Sequence, residues 1–325
     1  MVSRGPIILS DECEQVTDPE EEIFILYSEL LSDNASNKTD GFRGLGYVDS
    51  HKDVLEIKFE LKNVLPPPPV VVASPNRTRK HHTKHHKSAN RPTSEKTVEI
   101  ELIQDKTALH SRKGDTGSVL WKASIDFGQL ILQQYYAAAP TGPIILDRDN
   151  LHTYHILELG AGTGLLSIAL SPLVRHYTAT DIGPLIPLIR KNVAHNFPDW
   201  SPNSFSPSEK GKNISVEELD WLAIEAASPV QKAKIYNTEE QPIDLLLVVD
   251  CLYHPSLIPP FLATVDYLTS PERTAVLIMS ELRAEDVMRD FLHGWLSMPS
   301  WEIWRVPNSD IGKNYVIWVG WKMSS

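Results

Sequence analysis

Four stretches of this chain hold side chains whose types and spacing could do chemistry. The first, His155 to Leu170, reads HILELGAGTGLLSIAL: an apolar run, an acid at Glu158, glycines at Gly160, Gly162 and Gly164, then apolar residues again. Glycine lets backbone approach a ligand closely, and a helix that starts at once presents free N–H groups, so this turn can cradle a nucleotide. The second is Asp181, which closes HYTATD one strand–helix step later. A carboxylate there can accept both ribose hydroxyls of a nucleoside; the competing reading is a plain helix cap. The third is Asp220-Trp221, where the acid can accept from an adenine amino group and the indole can cover the ring, although a Trp after a strand is more often core. The fourth is DCLYHP, with Asp250 and Tyr253 directly after the apolar run LLLVV. Cys251 reads as a small buried residue, and His254 as structural.

These side chains need elements that bring them to one end of a sheet. From residue 155 onward the pattern alternates strand and helix. The candidate strands are 155–159, 176–181, 214–219, 243–250, 274–281, 301–306 and 314–321. The candidate helices are 164–173, 184–195, 222–228, 256–268 and 285–297. Continuous apolar strands such as 245–249 suit the buried middle of a parallel sheet. The pattern predicts a Rossmann-like α/β fold: a doubly wound, seven-stranded, mostly parallel sheet that binds ligands at the carboxyl ends of its strands. The last two strands lie close in sequence, which suits an antiparallel edge. The C-terminal aromatics (Trp295, Trp301, Trp304, Tyr315, Trp318 and Trp321) read mainly as packing residues.

Upstream, residues 1–20 have no period and read as a loose terminus, and EEIFILYSELL does not decide between helix and strand. Alternating apolar residues at 55–61 and again at 98–102 predict an N-terminal β-hairpin extension. Residues 75–96 between them hold seven Lys/Arg, four His and one acid, with nothing apolar larger than Ala89. Such a segment builds no core and reads as a solvated, disordered basic insertion; a metal-binding His tract, a localisation signal and a rRNA-touching arm are its functional readings. The expected organisation is an extension over 1–113 and a catalytic-type domain over 114–325.

Composition bounds the rest. No stretch has the 18 or more apolar residues of a membrane span, and the N-terminus turns acidic too quickly for a secretory signal. Two cysteines far apart, Cys13 and Cys251, point to a reducing compartment, the cytosol or the nucleus. The net charge of −11 argues against a nucleic-acid-coating protein and suits a basic partner.

The glycines do not form the dinucleotide fingerprint G-x-G-x-x-G, because Leu165 stands in the third place. The spacing E-x-G-x-G-x-G instead resembles the first motif of class I S-adenosylmethionine methyltransferases. Together TGSVLW (116–121), ELGAGTGLLSI (158–168), Asp181, LDW (219–221) and DCLY (250–253) resemble the family 16 protein-lysine methyltransferases of the seven-β-strand class, from about Gly114 to the end. The resemblance implies S-adenosylmethionine as cofactor and no metal. It implies cofactor contacts from Trp121, Gly160, Ala161, Gly162, Asp181, Trp221 and Val249. The bottom-up reading adds Glu158, Gly164 and Asp220 to that set. Asp250 and Tyr253 become the catalytic pair, one orienting the amine or cofactor and the other lining a lysine channel. Relatives that methylate glutamine or adenine amines carry Pro-Pro after strand four, which this chain lacks. Within the family the likeness is to the fungal ribosomal lysine methyltransferases, which implies a large-subunit ribosomal protein of the L1 stalk as substrate; a monomer is expected, and the acidic balance suits a basic partner. A catalytically inactive binding module and a small-molecule methyltransferase are the alternatives.

Overall fold

The computed structural model describes residues 2–36, 46–49, 51–64, 94–105, 116–139, 142–307 and 310–324. The first residues are ordered structure, not the loose terminus expected. Strands β1 (Val2–Arg4) and β2 (Ile7–Leu9) pair antiparallel, and β3 (Glu14–Gln15) joins the main sheet. Helix α1 (Pro19–Ser36) follows, with Asp18 Oδ1 accepting from the Glu20 and Glu21 amides as an N-terminal cap. It buries Ile23, Leu26 and Leu30 while leaving Phe24 and Leu31 exposed, which is why its apolar stripe was hard to read.

The predicted hairpin is present as β4 (Val54–Val64) and β5 (Ser94–Ile103), with Leu55 opposite Leu102 and Phe59 opposite Val98. In β4 burial alternates residue by residue, so Leu55, Ile57, Phe59 and Leu61 face inward. Of the basic insertion read over 75–96, residues 75–93 lie outside the described residues, and 94–96 belong to β5.

Helix α2 (Lys122–Tyr136) precedes β6 (His155–Leu159), α3 (Leu165–Leu170), β7 (His176–Asp181), α4 (Ile186–Asn196), β8 (Ile214–Glu218), α5 (Trp221–Ala226), α6 (Pro229–Ile235) and β9 (Leu245–Val249). Then come α7 (Ile258–Leu268), β10 (Ala275–Glu281), α8 (Glu285–Leu296), β11 (Trp301–Val306) and β12 (Tyr315–Lys322). The sheet order is β3-β11-β12-β10-β9-β6-β7-β8. It has eight strands, not seven, because the two-residue β3 pairs with β11 at the edge. Strands β8, β7, β6, β9 and β10 run parallel, and β12 is antiparallel to both β10 and β11.

Alternate side chains of each central strand go to opposite faces, so the sheet builds two cores. Ile156, Tyr177, Ala179, Leu247 and Met279 pack with α2, α3, α4 and the β4–β5 hairpin. Leu157, Leu159, Leu246, Val248, Ile278 and Trp318 pack with α1, α5, α7 and α8. Four of the six C-terminal aromatics, Trp295, Tyr315, Trp318 and Trp321, are fully buried, as packing residues should be. Chain order reverses between β6 and β9, which leaves a crevice at the carboxyl ends of the strands there. No described helix is long and apolar enough to cross a membrane.

Candidate active site

The glycine turn links β6 to α3. Gly160 has φ of +67° and Gly162 +56°, in the left-handed region that side-chain-bearing residues avoid. Space closes both positions as well. A Cβ on Gly160 would lie 2.6 Å from Cys251 Sγ, and one on Gly162 would lie 3.1 Å from the Gly117 carbonyl oxygen. The turn is therefore clamped between the Thr116–Gly117 loop and the segment after β9.

Asp181, at the tip of β7, ties the turn down. Its Oδ2 accepts from the Gly162 amide at 2.8 Å and its Oδ1 from the Ile182 amide at 2.8 Å. The N-cap of the short 3-10 turn Gly183–Leu185 is Ile182, so Asp181 stands one residue before the position that the capping reading gave it. Asp220, by contrast, is the N-cap of α5 and accepts from the Leu222 amide at 2.9 Å. Trp221 follows it, packed edge-on against Phe261 with its ring beside Gly160.

Asp250 stands just past β9 at φ +59°, an uncommon conformation that Asp tolerates better than most residues. Its amide donates to the Met279 carbonyl at 2.7 Å, and its Oδ1 accepts from the Glu281 amide at 3.1 Å. Arg283 grips the same carboxylate with both terminal nitrogens, at 3.0 and 2.7 Å. Burial raises Asp250 above the usual carboxylate range, and Arg283 offsets part of that rise. Tyr253 is exposed.

These tips enclose one cavity of about 660 Å³, within the size range of small-molecule sites. Its lining includes Trp121, Gly160, Ala161, Gly162, Asp181, Asp220, Trp221, Val249, Asp250 and Tyr253. Two residues expected to touch the cofactor stand elsewhere. Glu158 lies buried beneath the turn, where its Oε2 accepts from the Tyr177 hydroxyl at 2.9 Å, and burial pushes its pKa up to about 8. Gly164 is the N-cap of α3 and packs on Ile189. Cys251 is buried and its thiol is pushed well up by burial, so it is not poised as a nucleophile. His254 caps the short turn Pro255–Leu257.

The cavity also has walls outside the motifs, Pro184, Leu185 and Glu218, while Thr116 and Gly117 open the TGSVLW stretch. Arg283 was missed too. Nothing in its local sequence marks it; only the parallel pairing of β9 with β10 brings it beside Asp250. Among the described residues no cluster of three or more His, Cys, Asp or Glu could hold a metal ion.

The donor set fits S-adenosylmethionine. Glycine backbone closes one side, an acid sits at the strand tip where a ribose would lie, and an acid–indole pair stands at the next tip for an adenine. A family model described as lysine methyltransferase matches residues 103–294. A Schizosaccharomyces pombe protein named diaminohydroxyphosphoribosylamino-pyrimidine deaminase is 30% identical over 221 residues, which cover 67% of this chain and 46% of that protein. The Bos taurus protein-lysine methyltransferase METTL21E is 32% identical over 138 residues, 42% of this chain and 41% of the relative. The ribosomal lysine N-methyltransferase 5 of Zygosaccharomyces rouxii is 25% identical over 204 residues, 54% of this chain and 63% of the relative. The chain thus spans less than two thirds of the length of each of these three relatives. With the matched segment running from the end of β5 through most of α8, the chain belongs to the lysine methyltransferase family.

Proposed function

We propose that the protein is an S-adenosylmethionine-dependent protein-lysine N-methyltransferase, acting in the cytoplasm on a basic protein of the large ribosomal subunit. One observation carries the reading: four successive strand tips, at β6, β7, β8 and β9, deliver the glycine turn, Asp181, Asp220-Trp221 and Asp250–Tyr253 to a single cavity. The ribosomal substrate is supported by the similarity to fungal enzymes of that name and by the chain's acidic balance.

Bound there, S-adenosylmethionine supplies a methyl group already activated by its sulfonium, so the chain need only align, desolvate and exclude water. Asp181 and the glycine turn fix the nucleoside end. Asp250 and Tyr253 stand on the side from which a lysine side chain enters. The lysine amine must arrive neutral, against an ordinary pKa of about 10.4, and transfer from water into an apolar channel favours that form. Asp250, its carboxylate shared with Arg283, would orient the amine or the cofactor at the inner end of the channel, and Tyr253 would line the channel mouth.

Calorimetric titration with S-adenosylmethionine tests the cradle. The wild type is expected to bind one equivalent, and Asp181→Ala to lose about tenfold or more in affinity, since charge-assisted hydrogen bonds to the nucleoside and to the Gly162 amide go together. Equal binding by both proteins would remove Asp181 from the site.

A further inference from the structure

Arg283 lies outside the cavity wall yet contacts several of the pieces that shape it. Its two terminal nitrogens hold Asp250 Oδ1 and Oδ2, and Nη2 also donates to Glu281 Oε2 at 2.6 Å. The guanidinium carbon stands 5.0 Å from the centroid of the Trp121 ring, a cation–π placement. On its remaining side it meets Gly46, where a Cβ would come within 2.5 Å of Nη2. That glycine belongs to a short strap over Trp121: Lys122 donates to the Gly46 carbonyl at 2.8 Å, Val48 donates to the Leu120 carbonyl at 3.0 Å, and Tyr47 packs edge-on against the indole.

Asp250 and Trp121 line the cavity; Glu281 and the strap do not. Asp250 holds a left-handed backbone conformation and a nearly buried carboxylate, with 3% of its side chain exposed. Both features need an outside constraint to persist. A planar fork that bonds two carboxylates while resting on an aromatic face is a task that Arg performs and Lys does not.

We propose that Arg283 is a positioning residue, a latch that sets Asp250 and Trp121 in place for the cofactor and joins the Gly46–Val48 strap to the same site. The inference rests on the methyltransferase reading for its cofactor but on geometry alone for the latch. In the free protein the guanidinium keeps Asp250 ionised at lower pH than burial alone would allow.

The test is a double-mutant cycle read by calorimetry with S-adenosylmethionine. Arg283→Gln is expected to weaken binding about tenfold, and Arg283→Gln/Asp250→Asn to bind no more weakly than Asp250→Asn alone, because the two residues act as one unit. Additive losses, or wild-type binding by Arg283→Gln, would overturn the proposal. Arg283→Lys, which keeps the charge and loses the fork, is expected to fall between wild type and Arg283→Gln, and it runs the same cycle should the Gln variant fail to fold. A second readout separates the latch from the function. The pH titration of the Asp250 carboxyl carbon by NMR in the free protein is expected to move upward in Arg283→Gln. An unmoved midpoint overturns the latch even where S-adenosylmethionine binds. A wild type that does not bind S-adenosylmethionine overturns the proposed function, while a moved midpoint would still uphold the latch.

Discussion

At the scale of single residues, the buried acid Glu158 makes the sharpest claim. It sits under the glycine turn with one hydroxyl donor, Tyr177, and its carboxyl titrates at about 8 in place of the ordinary 4.5. The cause is burial first, with the neighbouring Asp181 adding to it. A group whose folded pKa is raised binds more protons in the folded state, so its contribution to stability is full below 4.5 and is lost as pH rises toward about 8. Denaturant unfolding of wild type and Glu158→Gln should therefore diverge across that window. The wild type is expected to lose stability relative to the variant from pH 5 to pH 8, a range that lies within the titration limits. Parallel pH curves would place Glu158 in a different ionisation state. At this scale the sequence was easy to read where chemistry is local. The glycines, Asp181 and Asp250 each end a strand, and a strand end can be seen in ten residues. The assignment of Glu158 and Gly164 to the cofactor was harder, since a neighbour of a binding turn can serve the layer beneath it.

At the scale of elements, α1 shows what local reading cannot reach. Its sequence mixes buried Ile23, Leu26 and Leu30 with exposed Phe24 and Leu31. A distant pair helps hold it: Glu22 Oε1 accepts from Trp318 Nε1 of β12 at 2.8 Å, a buried bond between residues 296 positions apart. Arg305 of β11 approaches the other oxygen at 3.7 Å and also bonds Glu14 of β3. No motif announces such a contact, because it depends on β12 being threaded between β10 and β11. Burial already raises Glu22, and the indole offsets that rise. Trp318→Phe should keep most of the apolar packing and strand the carboxylate, costing about 1–3 kcal/mol in a denaturant melt. A loss below about 0.5 kcal/mol, within the range of an ordinary surface change, would show that the Trp318 bond adds little to what holds α1.

At the scale of the whole molecule, charge is unevenly shared. Residues 75–96 carry seven Lys/Arg and one acid, which leaves 24 Lys/Arg against 41 Asp/Glu in the rest of the chain. A negative body attracts a basic substrate over distances set by the screening length, about 30 Å at 0.01 M salt and about 8 Å at 0.15 M. With a purified basic protein substrate, kcat/KM is expected to fall several-fold over about that salt range while kcat holds steady. An unchanged kcat/KM would mean that contact, not steering, selects the substrate. The overall architecture was largely legible because continuous apolar strands and alternating helices are long, repeated signals. The eighth strand was not, since two residues of β3 carry no period at all.

The central claim is that this cavity supports methyl transfer to a lysine. The most direct measurement supplies the protein with methyl-labelled S-adenosylmethionine and fractionated ribosomes or whole lysate, then maps the labelled residue by mass spectrometry. The account predicts label on a lysine of a basic large-subunit ribosomal protein, abolished by Asp250→Ala. Label on any other residue type, or none with a wild type that binds S-adenosylmethionine, would contradict it.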